Sequence, residues 1–379
     1  MNVAPAFNKG ARPRIAFIST MQGSGWGGSE ELWGRTALRL CEQNRADVFA
    51  YVNWSPGAVR QLDALTAAGA HVERAKPARI WDRVWNKVLP IRPFLERTRP
   101  DLVIISQGAH FDGAAWMLEC INRKLCYAPI AHCFVAGHSY ADTHADPLRL
   151  GYEEAAVSYF VSEANLRDTR RQLATTIERA KIIRNPCNVS FDAAPPWPDT
   201  GDGFRLACVA RLETVVKGQD VLFEALRSQK WKERNLSVTL FGAGGNENTL
   251  KRLKALYQLE RVTFAGTTSN VEDIWRYHHA KVLTSRWEGL PISIVEALLC
   301  GRVAIVTDVA GNAELLTDNQ TGFVAAAPDA ALVDEALERA WQRRNDWREM
   351  GQQAARDVRE RIPRDPVGVF AEDILSLLQ

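Results

Sequence analysis

The sequence predicts an α/β fold built as two parallel-sheet domains, and three observations carry that prediction. Apolar segments of strand length alternate with helix-length amphipathic segments, as expected of parallel strands joined by crossover helices. The alternation runs twice, before residue 190 and again after residue 203. A chain of 379 residues is also long for a single core.

Arg14–Ser19 reads as a first buried strand, leading into a glycine loop at 23–28 and a helix over 30–41. A second strand at 48–52 and a helix at 61–68 come next. Residues 101–106 form another strand with a loop rich in Gly and His after it, and 127–132, 156–161 and 180–183 complete the first sheet. These elements place the first domain at 1–190. Residues 192–203, DAAPPWPDTGDG, carry too much Pro, Gly and Asp for regular structure, which puts an interdomain linker at 191–203. The second domain, 204–362, has strands at 206–209, 237–241, 262–264, 281–284 and 303–307. Prolines 363 and 366 break the chain before a last amphipathic helix at 367–378, within a terminal segment 363–379. Two similar halves facing each other leave a cleft, a common ligand location.

Composition narrows the class. Hydrophobic residues make up 46% and charged residues 24%, ordinary for a globular protein, and the net charge of +2 gives no footprint for nucleic acid. No run approaches the ~18 apolar residues of a membrane span. Residues 1–14 are polar and lack the apolar core of a signal peptide. The seven cysteines are scattered and form no C-x-x-C, so reduced thiols and a cytoplasmic location are expected.

One stretch carries most of the chemistry: Ser285-Arg286-Trp287-Glu288-Gly289-Leu290-Pro291-Ile292-Ser293-Ile294-Val295-Glu296. Two glutamates stand in an E-x(7)-E spacing around a glycine, a proline and a helix start. Proline suits the first helical position because its φ is fixed and it has no N–H to leave unpaired. Amides near Ile292 and Ser293, with the positive dipole end behind them, then suit a phosphate or diphosphate. Glu288 lies before the helix and Glu296 a turn inside it, so one carboxylate reaches each end of a ligand with an anionic middle. A sugar nucleotide has that layout. The spacing alone leaves open a buried helix with two solvated acids. Upstream, Arg211 and Lys217 come after the strand at 206–209 and precede a helix at 221–226. Such a strand–helix junction is where open α/β sheets bind ligands. Arginine grips phosphate with a fork and lysine adds a point charge.

The pairing of Arg211-x(5)-Lys217-Gly218 with Glu288-x(7)-Glu296 resembles the retaining sugar-nucleotide glycosyltransferases of family 4, which have the GT-B fold. Gly27-Gly28-Ser29-Glu30, Asn185-Pro186, Leu240 to Gly244, Val262 to Gly266 and Thr321 to Val324 match as well. The resemblance is strong across 208–324 and weaker before 182. It implies two Rossmann-like domains facing across a cleft, with a C-terminal helix crossing back to the first. It implies a metal-independent transfer of a hexose from a nucleoside diphosphate sugar, a UDP-sugar favoured over a GDP-sugar, to a glycan, lipid-linked or small-molecule acceptor in polysaccharide biosynthesis. Glu288 would contact the sugar, Glu296 the ribose, and Arg211 and Lys217 the diphosphate. Amides around Gly289, Leu290, Ile292 and Ser293 would face sugar and phosphate, while Pro291 has none to give. Gly27 and Gly28 would approach the diphosphate or sugar, Gly242 would sit on the nucleotide-facing rim, and Gly266 and Thr267 would meet the base. The alternatives are a sugar-nucleotide-binding protein or an epimerase on the same fold.

Other readings stay open. G-x-G-x-x-G at 23–28 matches a dinucleotide fingerprint, but the second strand ends Tyr51-Val52-Asn53-Trp54 without the acid that holds a ribose, which argues against a dehydrogenase. His132, at the end of a strand, is either a hydroxyl contact for the donor sugar, as in the family, or a satisfied core histidine. No D-x-D pair or H-x-x-x-H spacing is present, so neither a metal nor another cofactor is expected. From Arg79 to Arg99 six basic residues stand against two acids, with Trp81, Trp85 and Phe94 among them. That composition fits either weak association with the inner membrane face or a packed helix with a solvated basic side. Two positions depart from the family pattern in loops expected to border the hexose: Arg302, where proline is usual, and Gly311-Asn312 in place of Gly-Gly.

Overall fold

The computed structural model describes residues 12–21, 26–53, 59–75, 91–137 and 140–379. It divides into one unit of Met1–Pro186 with Asp365–Gln379 and a second of Cys187–Arg364.

The first unit holds seven strands: β1 (Arg14–Ser19), β2 (Asp47–Val52), β3 (His71–Arg74), β4 (Leu102–Gln107), β5 (Tyr127–Ala131), β6 (Ser158–Phe160) and β7 (Ala180–Ile182). They pair in parallel in the order β3-β2-β1-β4-β5-β6-β7. Side-chain alternation sends Ile15 and Phe17 into one core and Ala16 and Ile18 into another, so both faces of β1 are buried. The helix Gly28–Glu42 packs on the first of these faces through Leu32, Trp33, Ala37 and Leu40. The C-terminal helix Pro366–Ser376 joins the same core through Phe370, Ala371 and Ile374. Asp365 caps it, accepting from the Gly368 amide at 2.9 Å. Arg39 pairs with Asp365, and Tyr159 Oη donates to Asp373 at 2.6 Å.

The second unit has β8 (Phe204–Val209), β9 (Leu236–Phe241), β10 (Val262–Gly266), β11 (Ala280–Leu283), β12 (Val303–Thr307) and β13 (Gly322–Ala325), all parallel, ordered β10-β9-β8-β11-β12-β13. Leu206, Cys208, Ala280 and Val282 face the larger core. Ala207 faces the smaller one, with Trp275, Ala297 and Cys300 from the helix Val271–Tyr277 and from the helix Ile292–Leu299 and its C-cap.

Three features differ from expectation. β3 and β13 are edge strands that the apolar pattern does not announce, because His71-Val72-Glu73-Arg74 is polar and Gly322-Phe323-Val324-Ala325 is short. The chain passes between units at Pro186 and Cys187, so 191–203 lies inside the second unit rather than linking the two. It is irregular, yet Arg359 donates to the carbonyls of Phe191 (2.9 Å) and Ala193 (3.0 Å), and Arg302 to that of Pro196 (2.7 Å). Of the basic, Trp-bearing stretch, 76–90 lies outside the described residues, as does 22–25 of the glycine loop. Beyond residue 90 the chain forms the helix Ile91–Thr98, with Ile91, Phe94 and Leu95 buried and Arg92 paired to Glu119 at 3.2 Å. Among the described residues, no helix is long and apolar enough to cross a membrane.

Candidate functional site

In the second unit the strand order reverses between β8 and β11. Crossovers leave in opposite directions there and open a crevice beyond the carboxyl ends, the general ligand position of doubly wound sheets. The loop after β8 carries Arg211 and Lys217; the loop after β11 carries Glu288 to Pro291. Residues far apart in sequence thus meet because two neighbouring strands end side by side.

Backbone packing fixes both loops. Gly218 ends the short helix Thr214–Lys217 with φ +62°, and a Cβ there would lie 1.9 Å from the Thr284 carbonyl oxygen, so only glycine lets the loops touch. Thr284 Oγ1 donates to the Gly218 carbonyl at 2.6 Å. Arg286, which no sequence motif singles out, laces the loops together. Its guanidinium takes both oxygens of Asp220 at 2.8 Å and the Thr214 carbonyl at 2.6 Å, while its amide donates to the Val216 carbonyl at 2.8 Å.

Within this frame Lys217 Nζ donates to Glu288 Oε1 at 2.7 Å, and Ser285 Oγ donates to the same oxygen at 2.7 Å. Both bonds fall on Oε1. Glu288 is 6% exposed, and its pairing with Lys217 is therefore little screened by solvent. Arg211 is half exposed, its Nη1 3.2 Å from Glu213 Oε1. Pro291 stands one place earlier than expected, as N-cap with φ −61°, and the helix runs Ile292–Leu299. The Pro291 carbonyl takes the Ile294 amide at 3.0 Å. The amides of Ile292 and Ser293 have no intrahelical acceptor, being in the first turn. Ser293 Oγ donates to the Val209 carbonyl at 3.0 Å, and Leu290 is buried. The Gly289 carbonyl accepts from the Gly311 amide at 2.7 Å, so the loop carrying Asn312 does abut the Glu288 loop.

Glu296, 3% exposed, faces an unforeseen partner: its Oε1 accepts from the Asn188 amide at 2.9 Å and from Asn188 Nδ2 at 3.1 Å. Gly242 has φ +140°, and a Cβ on it would meet the Ala210 carbonyl oxygen at 2.1 Å. Its amide donates to the Gly266 carbonyl at 2.7 Å. The glycine is needed for packing against the β8 loop, and Thr267 beyond Gly266 is exposed.

Arg302 is placed otherwise than expected. It lies at the opposite end of the helix from Ile292, 2% exposed, with its guanidinium on the carbonyls of Trp275 (2.9 Å), His278 (2.9 Å), Cys300 (2.8 Å) and Pro196 (2.7 Å). It ties the helix C-terminus to the 193–197 segment.

The remaining candidates belong to the first unit. Gly27 caps the helix Gly28–Glu42, and its amide donates to Glu30 Oε2 at 3.1 Å. Glu30 also accepts from Ser29 Oγ at 2.7 Å and Ser19 Oγ at 2.9 Å, and burial pushes its carboxyl above the usual range. His132 is 7% exposed, its Nε2 3.1 Å from Ser106 Oγ, and burial lowers its pKa to about 3, so the ring is neutral. Ser106 stands near the end of β4 and His132 just past β5. Among the described residues, no group of three or more His, Cys, Asp or Glu is placed to hold a metal ion.

Comparison with known proteins bears on the whole. Residues 195–357 match the family model described as glycosyl transferases group 1. The chain is 29% identical over 153 residues to the putative glycosyltransferase EpsD of Bacillus subtilis, covering 40% of each chain. It is 36% identical over 80 residues to the lipopolysaccharide core biosynthesis mannosyltransferase LpsB of Rhizobium meliloti, 20% of this chain and 23% of that one. Both alignments therefore span under half of the relative's length. Among solved structures, Anabaena HepE in complex with UDP superposes with a TM-score of 0.74 at 17% identity, over 96% of this chain and 99% of that one. Sucrose-phosphate synthase from Thermosynechococcus elongatus gives 0.74 at 16%, over 97% and 99%. These likenesses show the two-sheet GT-B fold. Within that fold, it is residues 195–357 of this chain that are similar to the glycosyl transferases group 1 family.

Proposed function

We propose that the protein is a retaining, metal-independent glycosyltransferase that moves a hexose from a nucleoside diphosphate sugar to a glycan, lipid-linked or small-molecule acceptor. The observation that carries this reading is the buried Lys217–Glu288 pair beside the first turn of the helix Ile292–Leu299, at the switch point of the second sheet. A diphosphate at that helix end meets the Ile292 and Ser293 amides and the dipole. Lys217 then exchanges a carboxylate for a phosphate, and Arg211, held only by an exposed pair, turns to the same anion. The freed Glu288 lies within reach of the sugar, and Glu296, a turn further in, holds the ribose. HepE, which shares the fold, binds UDP and UDP-glucose, and this favours a UDP-sugar donor here.

With no nucleophile assigned beneath the sugar, retention implies attack on the same face as departure. The C1–O bond to the diphosphate breaks, the acceptor oxygen bonds to C1, and the leaving phosphate oxygen takes the acceptor's proton. Lys217, Arg211 and the helix amides stabilise the charge that develops on the diphosphate. The same proposal gives the protein a cytoplasmic place of action, with Arg79, Arg83 and Lys87 adding weak attraction to an anionic membrane face.

A panel of UDP- and GDP-sugars, assayed for nucleotide release with and without EDTA, tests the proposal. Release from a UDP-hexose that persists in EDTA is expected. Release that needs added Mg²⁺ or Mn²⁺, or none from any sugar nucleotide, contradicts it.

A further inference from the structure

Lys281 is the one charged side chain of β11, and it is fully buried. Alternation along the strand puts Ala280 and Val282 into the larger core, so Lys281 points to the other face, under the helix Ile292–Leu299. Its strand partner on β8 is Ala207, a small residue that leaves room for a long side chain. Nζ reaches along β8 to the Val209 carbonyl at 3.3 Å, the same oxygen that takes Ser293 Oγ at 3.0 Å. The lysine head therefore sits where the β8 loop, the β11 loop and the helix start converge. The ionisable groups whose charge reaches it are Cys208 on β8, Lys217 on the short helix, Glu288 in the loop and Glu296 on the helix.

Such a placement is costly. Burying a lysine with one long hydrogen bond is unfavourable, and an apolar side chain of like volume in its place is commonly neutral or stabilising. Packing thus gives no reason for a lysine here; the two buried carboxylates do. Lys217 balances Glu288 while the two are paired. If Lys217 turns to a diphosphate, two buried glutamates and the ligand's negative charge remain in one crevice. A second cation is needed that cannot leave.

We propose that Lys281 is a positioning residue of the donor site, the fixed buried charge that holds Glu288 and Glu296 in place once Lys217 has moved to the ligand. The proposal rests on the reading of this crevice as a nucleoside diphosphate site. Lys281 itself touches neither sugar nor phosphate; it acts through the carboxylates and the Val209 carbonyl. Burial lowers its pKa to about 8, so its charge is lost as pH rises past that value.

The test uses Lys281→Met, close in length and without charge, and reads two quantities from pH 6 to pH 10. One is the affinity for UDP by calorimetry, the other the melting temperature. The expected result is UDP binding weakened about tenfold or more at pH 7, the scale of one nearby charge in a partly buried site. The difference should shrink above pH 8 as the wild-type lysine discharges. The melting temperature of the variant should equal or exceed that of the wild type at pH 7. A merely structural lysine predicts the reverse: a lower melting temperature with UDP affinity unchanged, and that outcome overturns the proposal. Wild-type protein that binds no nucleoside diphosphate removes the donor-site reading and the proposal with it. Wild-type binding matched by the variant at every pH removes the proposal alone.

Discussion

Glu30 in the first unit and Glu288 in the second are both buried at the carboxyl end of a parallel sheet, beside the start of a helix. Their surroundings are opposite. Glu30 takes its bonds from two serine hydroxyls and the Gly27 amide, and burial raises its pKa. Glu288 takes one bond from Ser285 and one from Lys217, with Lys281 beneath. Glu30 reaches back to the helix start and takes the Gly27 amide at 3.1 Å, the return half of a capping box that glycine has no side chain to complete. Glu288 leaves the helix start open, because Pro291 caps Ile292–Leu299 without a side-chain acceptor. The same sheet position thus gives a closed, neutral-partnered helix end in one unit and an open, ion-paired one in the other. A glutamate before a helix is therefore not a site by itself; what distinguishes the proposed one is the cation opposite Glu288 and first-turn amides with no intrahelical acceptor beside it.

The largest effect should come from breaking the ion pair. Lys217→Ala removes the cation proposed to meet the diphosphate and strands Glu288 in a buried position, and sugar transfer should fall about 100-fold or more. Steady-state turnover with a UDP-hexose measures it; near-normal rates would remove Lys217 from the site. Glu288→Gln should come next, with a fall in kcat, because in the proposed reading its charge meets the hexose where the bond breaks. Glu296→Gln should be milder and should raise the donor KM with kcat little changed, since the ribose is the same before and after reaction. If both variants raise KM alone, the division of roles between the two acids is wrong.

The smallest effect belongs to the other half of the comparison. Glu30→Gln can keep the Gly27 amide on its carbonyl oxygen while its NH₂ donates to Ser19, so turnover should stay within about twofold. The pH dependence of stability gives the sign. Because the folded-state pKa of Glu30 is raised above 4.5, its favourable share is complete below that value and lost as pH rises through the raised one. Glu30→Gln should therefore be as stable as wild type or more so near pH 7, and less so relative to wild type in acid. Chemical denaturation at pH 4 and pH 7 would show it. A variant that loses transfer while remaining folded would mean that Glu30 is no mere cap.

Much of this is legible in the sequence, and the gaps have physical causes. The strands of both sheet centres stand out because a strand buried on both faces must be nearly all apolar, as Leu102 to Ile105 and Val303 to Val306 are. Edge strands are exempt, which hides His71–Arg74, while Gly322–Ala325 is apolar but only four residues long. Arg211, Lys217, Glu288 and Glu296 stand out in the sequence by spacing and resemblance, and the structure gathers Lys217 and Glu288 into one pair. Lys281 does not stand out, because a lysine amid Ala280, Val282 and Leu283 reads as a solvent-facing interruption. Only its place in a central strand, between β8 and β12, shows that it has no solvent to face. Asn188 and Arg286 are hidden for another reason: their partners, Glu296 and Asp220, are 108 and 66 residues away. Arg302 reads from the family pattern as a sugar-side residue, and only the structure shows it holding carbonyls at the far end of the helix.

The most direct test of the central claim, that the ion-paired crevice of the second unit holds a nucleoside diphosphate, is calorimetric titration of UDP into three proteins: wild type, Lys217→Ala and Glu30→Gln. Wild type and Glu30→Gln are expected to bind alike, and Lys217→Ala at least about tenfold more weakly, a loss of about 1.4 kcal/mol or more. Equal binding by all three, or a loss confined to Glu30→Gln, would contradict it.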